Sequence, residues 1–143
     1  MRRIIPLIFI LFISNDLISQ TYYSFPDSNA IWSVNYTKFG LRGDTLVNNK
    51  VYKKYYTQFN DSIFNFSKCT YFAAIREDSM KIYGIKNSEN KEYLLYDFTV
   101  LKGETIGITN FAFKWLKDPI ELNVVDVDSV FIYNGYRKRI ILK

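Results

Sequence analysis

The 143-residue sequence predicts an all-β domain, an antiparallel meander of hairpins forming a small sandwich or an open curled sheet behind an N-terminal signal peptide. Three observations carry this. Twelve Tyr, twelve Phe and two Trp stand against six Gly, three Pro and two Met, and rings suit a pleated, half-buried strand surface. Alternating apolar and polar stretches are cut by turn residues about every ten to fifteen positions, as in a chain of hairpins. Helical periodicity is nearly absent beyond the first twenty residues.

Those first residues form a separate unit. Arg2 and Arg3 precede a charge-free run from Ile4 to Ile13, and the chain turns polar at Ser14-Asn15-Asp16. A basic start, a short apolar run and a small residue at Ser19 define a secretory signal peptide over 1–19, leaving 20–143 as a single antiparallel β domain. The run is too short to span a bilayer, which takes roughly 20 apolar residues, and no later segment approaches that length. The one cysteine is Cys69, so no acylated cysteine follows the apolar run and a lipid anchor there is not expected. The expected location is the periplasm, the cell surface or the medium.

Six to eight strands follow in order. Ile31–Tyr36 reads as the first, with Trp32, Val34 and Tyr36 on one face. Asp44–Lys53 is a hairpin with Asn48-Asn49 at its tip, because Asn tolerates the positive φ of a type I′ turn; Leu46 then faces Val51 and Asp44 faces Lys53. The strand continues through Lys54-Tyr55-Tyr56, and the Asn- and Ser-rich stretch from Thr57 to Lys68 reads as a loop or weak edge strand. Thr70–Arg76 and Met80–Ile85 form a second hairpin around Glu77-Asp78-Ser79. The unbroken apolarity of Tyr93–Phe98 suggests a central strand covered on both faces. Lys102-Gly103-Glu104 turns the chain, and Thr109–Asp118 fits either a strand or a helical turn. The last hairpin runs from Leu122 to Tyr133 and back from Arg137 to Leu142 around Asn134-Gly135, the strongest short hairpin signal, placing Tyr133 opposite Tyr136 and Phe131 opposite Lys138. The chain stops at Lys143 with that strand just completed, which reads as a cut.

Composition excludes several function classes. Basic residues exceed acidic ones by 19 to 14, and by 17 to 13 once Arg2, Arg3 and Asp16 are removed. The excess is mild and scattered, and the Arg137-Lys138-Arg139 triplet splits between two strand faces, so no nucleic-acid stripe is expected. The chain contains no histidine, which removes Ser-His and Cys-His catalysis and most zinc chemistry. Cys69 can form no internal disulfide and reads as a small core hydrophobe. Asp126 and Asp128 share a strand face but lack a calcium-loop context, and a solvated face explains them better. Neither a catalytic residue nor a cofactor or metal ligand is assigned. What remains is a group of rings able to stack on a ligand or anchor a protein: Trp32, Tyr52, Tyr55, Tyr56 and Trp115.

Several segments together resemble one group of proteins. They are Gly43-Asp44-Thr45 with Asn48-Asn49-Lys50 and Tyr52-Lys53-Lys54, Ile75-Arg76-Glu77-Asp78 with Lys81-Ile82-Tyr83, Leu94–Phe98 with Gly103-Glu104-Thr105, and Asp128-Ser129-Val130 with Arg137-Lys138-Arg139. The group is the N-terminal region of uncharacterised exported Bacteroidota proteins, many of which end in a type IX secretion sorting domain, a domain not found here. The resemblance implies release to the cell surface or medium and a β-rich module; it implies no catalytic residue.

The function expected from the sequence is an exported, non-enzymatic binding or structural module, with a surface glycan or another envelope protein as partner. A hydrolase of extracellular polymers that uses carboxylates alone is the alternative, and would require Asp97 or Glu104 to face Asp126 or Asp128 in a cleft.

Overall fold

A computed structural model describes residues 22–26, 29–59, 63–109, 119–133 and 135–143. They form an all-β structure, and no helix among them is long and apolar enough to cross a membrane. Nine strands occur among the described residues: β1 (Ile31–Val34), β2 (Thr37–Val47), β3 (Lys50–Phe59), β4 (Thr70–Asp78), β5 (Lys81–Lys86), β6 (Glu92–Asp97), β7 (Thr105–Ile108), β8 (Ile120–Ile132) and β9 (Gly135–Leu142). Strands β1 to β6 form an antiparallel meander in chain order, curled into a half barrel, and β7, β8 and β9 form a second sheet. The expected signal peptide lies outside the described residues, as does most of the Thr109–Asp118 stretch.

The turns follow local backbone chemistry. Asn48 and Asn49 take φ 49 and 60, and Leu46 opposes Val51 and Asp44 opposes Lys53, as the sequence predicts. The first strand is shorter than expected: Asn35, at φ 54, opens a tight turn into β2, so Tyr36 sits exposed in that turn instead of sharing a face with Trp32. The β4–β5 turn is Ser79-Met80, both at positive φ, with Asp78 opposite Lys81. The Thr57–Lys68 stretch divides. β3 continues to Phe59, and Phe66–Lys68 forms a 3-10 turn capped by the Asn65 side chain.

The last hairpin is offset from its expected register. Ile132 opposes Gly135 and Phe131 opposes Tyr136, and Tyr133 takes φ 61 beyond the pair. The slip is two residues, an even number, so the side chains from Asp126 to Ile132 keep their predicted faces, while a bulge between Val124 and Asp126 breaks the alternation further back.

The strand from Tyr93 to Phe98 is the outermost of the six-stranded sheet instead of a central one. Its continuous apolarity has another cause. Ile82 opposes Tyr96 and Tyr83 opposes Leu94, which leaves Leu95 as an extra residue in β6. A bulge of this kind turns two successive side chains toward one face, here Leu95 and Tyr96. The same device acts in β4: Tyr55 opposes Ala73, Tyr56 opposes Tyr71, and Phe72 is the extra residue, joining Ala73 on the inner face. A third irregularity sets Arg42 and Gly43 against Lys54 alone, with Gly43 at φ 72.

These bends create two cores. On the inner face, Ala73, Ile75, Ile82 and Leu95 pack with Phe25, Tyr55, Phe72, Tyr93 and Phe98. On the outer face, Tyr52, Ala74 and Ile85 pack with Val47. The second sheet is tied to β6 and the loop after it: the Thr109 N–H donates to the Leu94 carbonyl at 2.8 Å, and Lys138 Nζ donates to the Phe98 and Val100 carbonyls, both at 2.8 Å.

Candidate binding cleft

The curl of the six-stranded sheet leaves a cavity of about 290 Å³ on its inner face. Its walls come from every strand of the meander and from the end of β7. Trp32 on β1 opposes Phe39 on β2, and Tyr55 on β3 lies diagonally beside them. The three rings are nearly parallel, with centroids 5.5 to 6.0 Å apart and interplanar angles of 9° to 26°. Phe72 meets Tyr55 edge-on at 5.9 Å, and Ile75, Ile82, Leu95, Tyr96, Phe98, Ile108 and Thr109 complete the lining. Both bulges are required, because plain alternation would send Phe72 to the face opposite Ala73.

Phe25 closes one side. Its ring meets Trp32 edge-on at 6.2 Å, and its backbone N–H donates to Glu77 Oε2 at 2.6 Å. Nearby, the Tyr22 hydroxyl is pushed up to about 12 by burial and then by Glu77. Glu77 therefore anchors the segment before β1 across the mouth of the curl.

The chemistry of the cavity is that of a neutral container. Among the described residues no carboxylate, amine or thiol belongs to its lining, and the polar side-chain groups there are the hydroxyls of Tyr55, Tyr96 and Thr109 and the indole N–H of Trp32. Burial, with the Tyr96 hydroxyl adding to it, raises the Tyr55 pKa well above the ordinary phenol value, so this group stays a neutral hydrogen-bond donor. At about 30 Å³ per atom-sized unit, as for water in the liquid, the space holds roughly ten non-hydrogen atoms.

The sequence-derived ring group separates into parts. Trp32 and Tyr55 are cavity walls. Tyr56, next to Tyr55, points to the outer face against Phe66 and Tyr71. Tyr52 is corrected outright: it is 2% exposed, belongs to the outer-face core and donates its hydroxyl to Glu92 Oε1 at 2.5 Å. Trp115 lies outside the described residues. Phe39, Phe72, Tyr96 and Phe98 were not singled out; for Phe39, its place opposite Trp32 was hidden by the missed turn at Asn35.

The carboxylates are committed elsewhere. Asp97 is held below the usual range, burial opposing and the Thr99 hydroxyl and Lys81 prevailing. Asp128 makes a two-pronged pair with Arg139, Asp126 pairs with Lys102 at 3.1 Å, and Glu104 accepts from the Leu101 N–H at 2.8 Å. No cluster of three or more His, Cys, Asp or Glu able to hold a metal occurs among the described residues. Cys69 is half-buried rather than a core residue: its thiol contacts the Asn65 carbonyl and Gln58, and burial raises its pKa.

Comparison with protein-family models, curated proteins and solved structures yields no match for this chain.

Proposed function

We propose that the chain is an exported, non-enzymatic binding module whose inner-face cleft takes a small, apolar, ring-bearing guest. The observation that carries this reading is the cavity itself, a volume of about 290 Å³ walled by parallel rings and, among the described residues, lined by no charged group. Binding sites of this kind are concave and mostly apolar, with a few polar groups that orient the guest. A glycan would demand a dense set of hydrogen-bond partners that the lining lacks, so an apolar guest is the better fit. Export is supported by the basic, apolar and small-residue pattern over 1–19, and the resemblance to exported Bacteroidota proteins supports a bacterial envelope or extracellular setting. The carboxylate hydrolase draws no support from a cleft without carboxylates.

The test is a fluorescence titration of the mature chain with 1-naphthylamine, a neutral two-ring probe of about the size the cavity holds. Saturable enhancement at one site is expected. Trp32→Ala, which removes one wall, and Ile108→Trp, which fills the volume, should each weaken binding about tenfold or more. Circular dichroism melts identify any variant that has lost its fold. A linear, non-saturating response of the native chain would overturn the reading, as would native-like binding by a folded Ile108→Trp variant.

A further inference from the structure

A second surface, independent of the cleft, lies at the end of the β8–β9 hairpin. Four apolar side chains there are open to solvent: Phe131 is 61% exposed, Ile132 50%, Tyr133 95% and Tyr136 46%. Phe131 and Tyr136 oppose each other across the strands and their rings meet edge to face at 5.4 Å, while Ile132, opposite Gly135, projects from the other face. The tip is thus apolar on both sides. Contiguous exposed apolar groups of this kind mark contact surfaces.

Tyr133 strengthens the case. It holds φ 61, a left-handed conformation natural to Gly and Asn and unfavourable for a bulky ring. The turns at Asn35 and Asn48-Asn49 use the undemanding residue. Met80, another long side chain at positive φ, is half-buried. Among the described residues, only at the hairpin tip is a large ring held in this conformation and thrust almost wholly into solvent.

Cations stand directly behind the tip. Arg137, opposite Val130, lies two residues from the Ile132–Gly135 pair, or roughly 7 Å along the strand, and Arg139 lies roughly 14 Å along it. Arg139 is matched by Asp128, whereas Arg137, stacked on the Tyr23 ring with Nη1 buried, and Lys138, held by two backbone carbonyls, pair with no carboxylate among the described residues, so the end of the hairpin carries a net positive field. Apolar groups entering a membrane interface are buried about 5–10 Å, which brings Arg137 to the level of the lipid headgroups.

We infer that this tip docks on an anionic lipid surface, with Phe131, Ile132, Tyr133 and Tyr136 entering the interfacial layer and the positive field of Arg137 and Lys138 behind them favouring anionic headgroups. Tyrosine prefers that layer because its ring is apolar and its hydroxyl is wet. A second copy of the chain is a poorer occupant, since pairing two such tips would bring two basic triplets together.

The experiment is cosedimentation of the mature chain with vesicles of phosphatidylcholine alone and of phosphatidylcholine mixed equally with phosphatidylglycerol. Retention is expected on the mixed vesicles, stronger than on the neutral ones and reduced by added salt. Tyr133→Asn suits the turn, so its melting temperature should be unchanged or higher, while retention falls about tenfold; Phe131→Ser should lower retention comparably. The inference is overturned if neither vesicle retains the chain, or if Tyr133→Asn is retained as well as the native chain. It is also overturned if light scattering shows a dimer that Tyr133→Asn returns to a monomer, which would assign the tip to a second copy.

Discussion

The two faces of the six-stranded sheet are made by the same strands and differ in how completely their groups are matched. On the outer face, Glu92 accepts from Arg76 Nε at 2.6 Å and Nη2 at 3.1 Å, from Tyr52 at 2.5 Å and from Lys50 at 3.2 Å. Arg76 also reaches Asp78 and lies over the Tyr83 ring at 4.5 Å. Nearby, Phe64 and Phe66 fold down over Gly40, and Arg42 covers Phe66. Donors there have acceptors, and rings have neighbours. On the inner face the polar side chains are fewer, and the described residues leave a volume open. Complete matching is what stability alone would select, since voids forfeit contacts on every side. An unfilled, well-ordered ring slot beside a saturated outer face is therefore the region where a function is to be sought.

Breaking the outer network should produce the largest effect on stability. The side chains of Arg76 and Glu92 are 11% and 26% exposed, so removing one leaves the other charged and poorly solvated. Glu92→Ala should cost about 3 kcal/mol in denaturant unfolding, and binding of the naphthylamine probe by the folded fraction should be unaffected. The same network sets a pH dependence. The Arg76 guanidinium, with burial opposing and Tyr52 and Lys50 assisting, lowers the Glu92 pKa to about 2. Its ordinary value in the unfolded chain is near 4.5. A depressed folded pKa gives stability that is complete above the unfolded value and is lost as pH falls from about 4.5 to 2. With the partial exposure discounted, that loss is about 2 kcal/mol. Glu92→Gln should flatten the acid limb. Probe binding, which depends on a lining without carboxylates, should stay constant from about pH 5 to 9.

A smaller effect is expected where the outer face is closed by contact alone. A Cβ added at Gly40 would come within 2.5 Å of the Phe64 ring. Gly40→Ala should cost about 1–2 kcal/mol, because Phe64 must lift from β2. Phe64→Ala removes the obstacle, so the two substitutions should be less costly together than the sum of each alone. A double-mutant cycle measures this, and strict additivity would mean that Phe64 does not rest on Gly40.

The difference between the faces was only partly legible in the sequence. The Asn48-Asn49 hairpin, its register and the faces of the β8–β9 strands near their turn were readable, because turn residues and period-two alternation are local signals. The ring slot was not. It depends on Phe72 and Leu95 being extra residues in their strands, and a bulge is fixed by pairing with a neighbouring strand, which one strand's pattern does not reveal. The run Leu94-Leu95-Tyr96 therefore reads as two-sided burial when it marks a bend, and nothing in Tyr71-Phe72-Ala73 announces the other bulge. Grouping Tyr52, Tyr55 and Tyr56 as one surface also conflicted with alternation, which separates Tyr55 from both of the others. The Glu92 network joins β3, β4 and β6, and no spacing between Tyr52, Arg76 and Glu92 announces it.

The smallest effect sharpens the contrast between a matched pair and a buried one. Asp44 and Lys53 oppose each other in the turn-proximal half of the β2–β3 hairpin and form an ion pair at 2.7 Å, close to the shortest Arg76–Glu92 contact. Their side chains are 55% and 33% exposed, so water already solvates both charges, and each keeps that solvation when the other is lost. Exposed pairs contribute about 0.2–1 kcal/mol and are screened by salt. Asp44→Asn should therefore lower stability by about 0.5 kcal/mol at low ionic strength and by almost nothing in molar salt. The Glu92→Ala cost should persist in salt, because its larger part is the charge stranded on Arg76 in a site that ions do not enter. Equal salt sensitivity of the two variants would show that the outer network is a surface charge effect, and would remove burial as the feature separating the two faces.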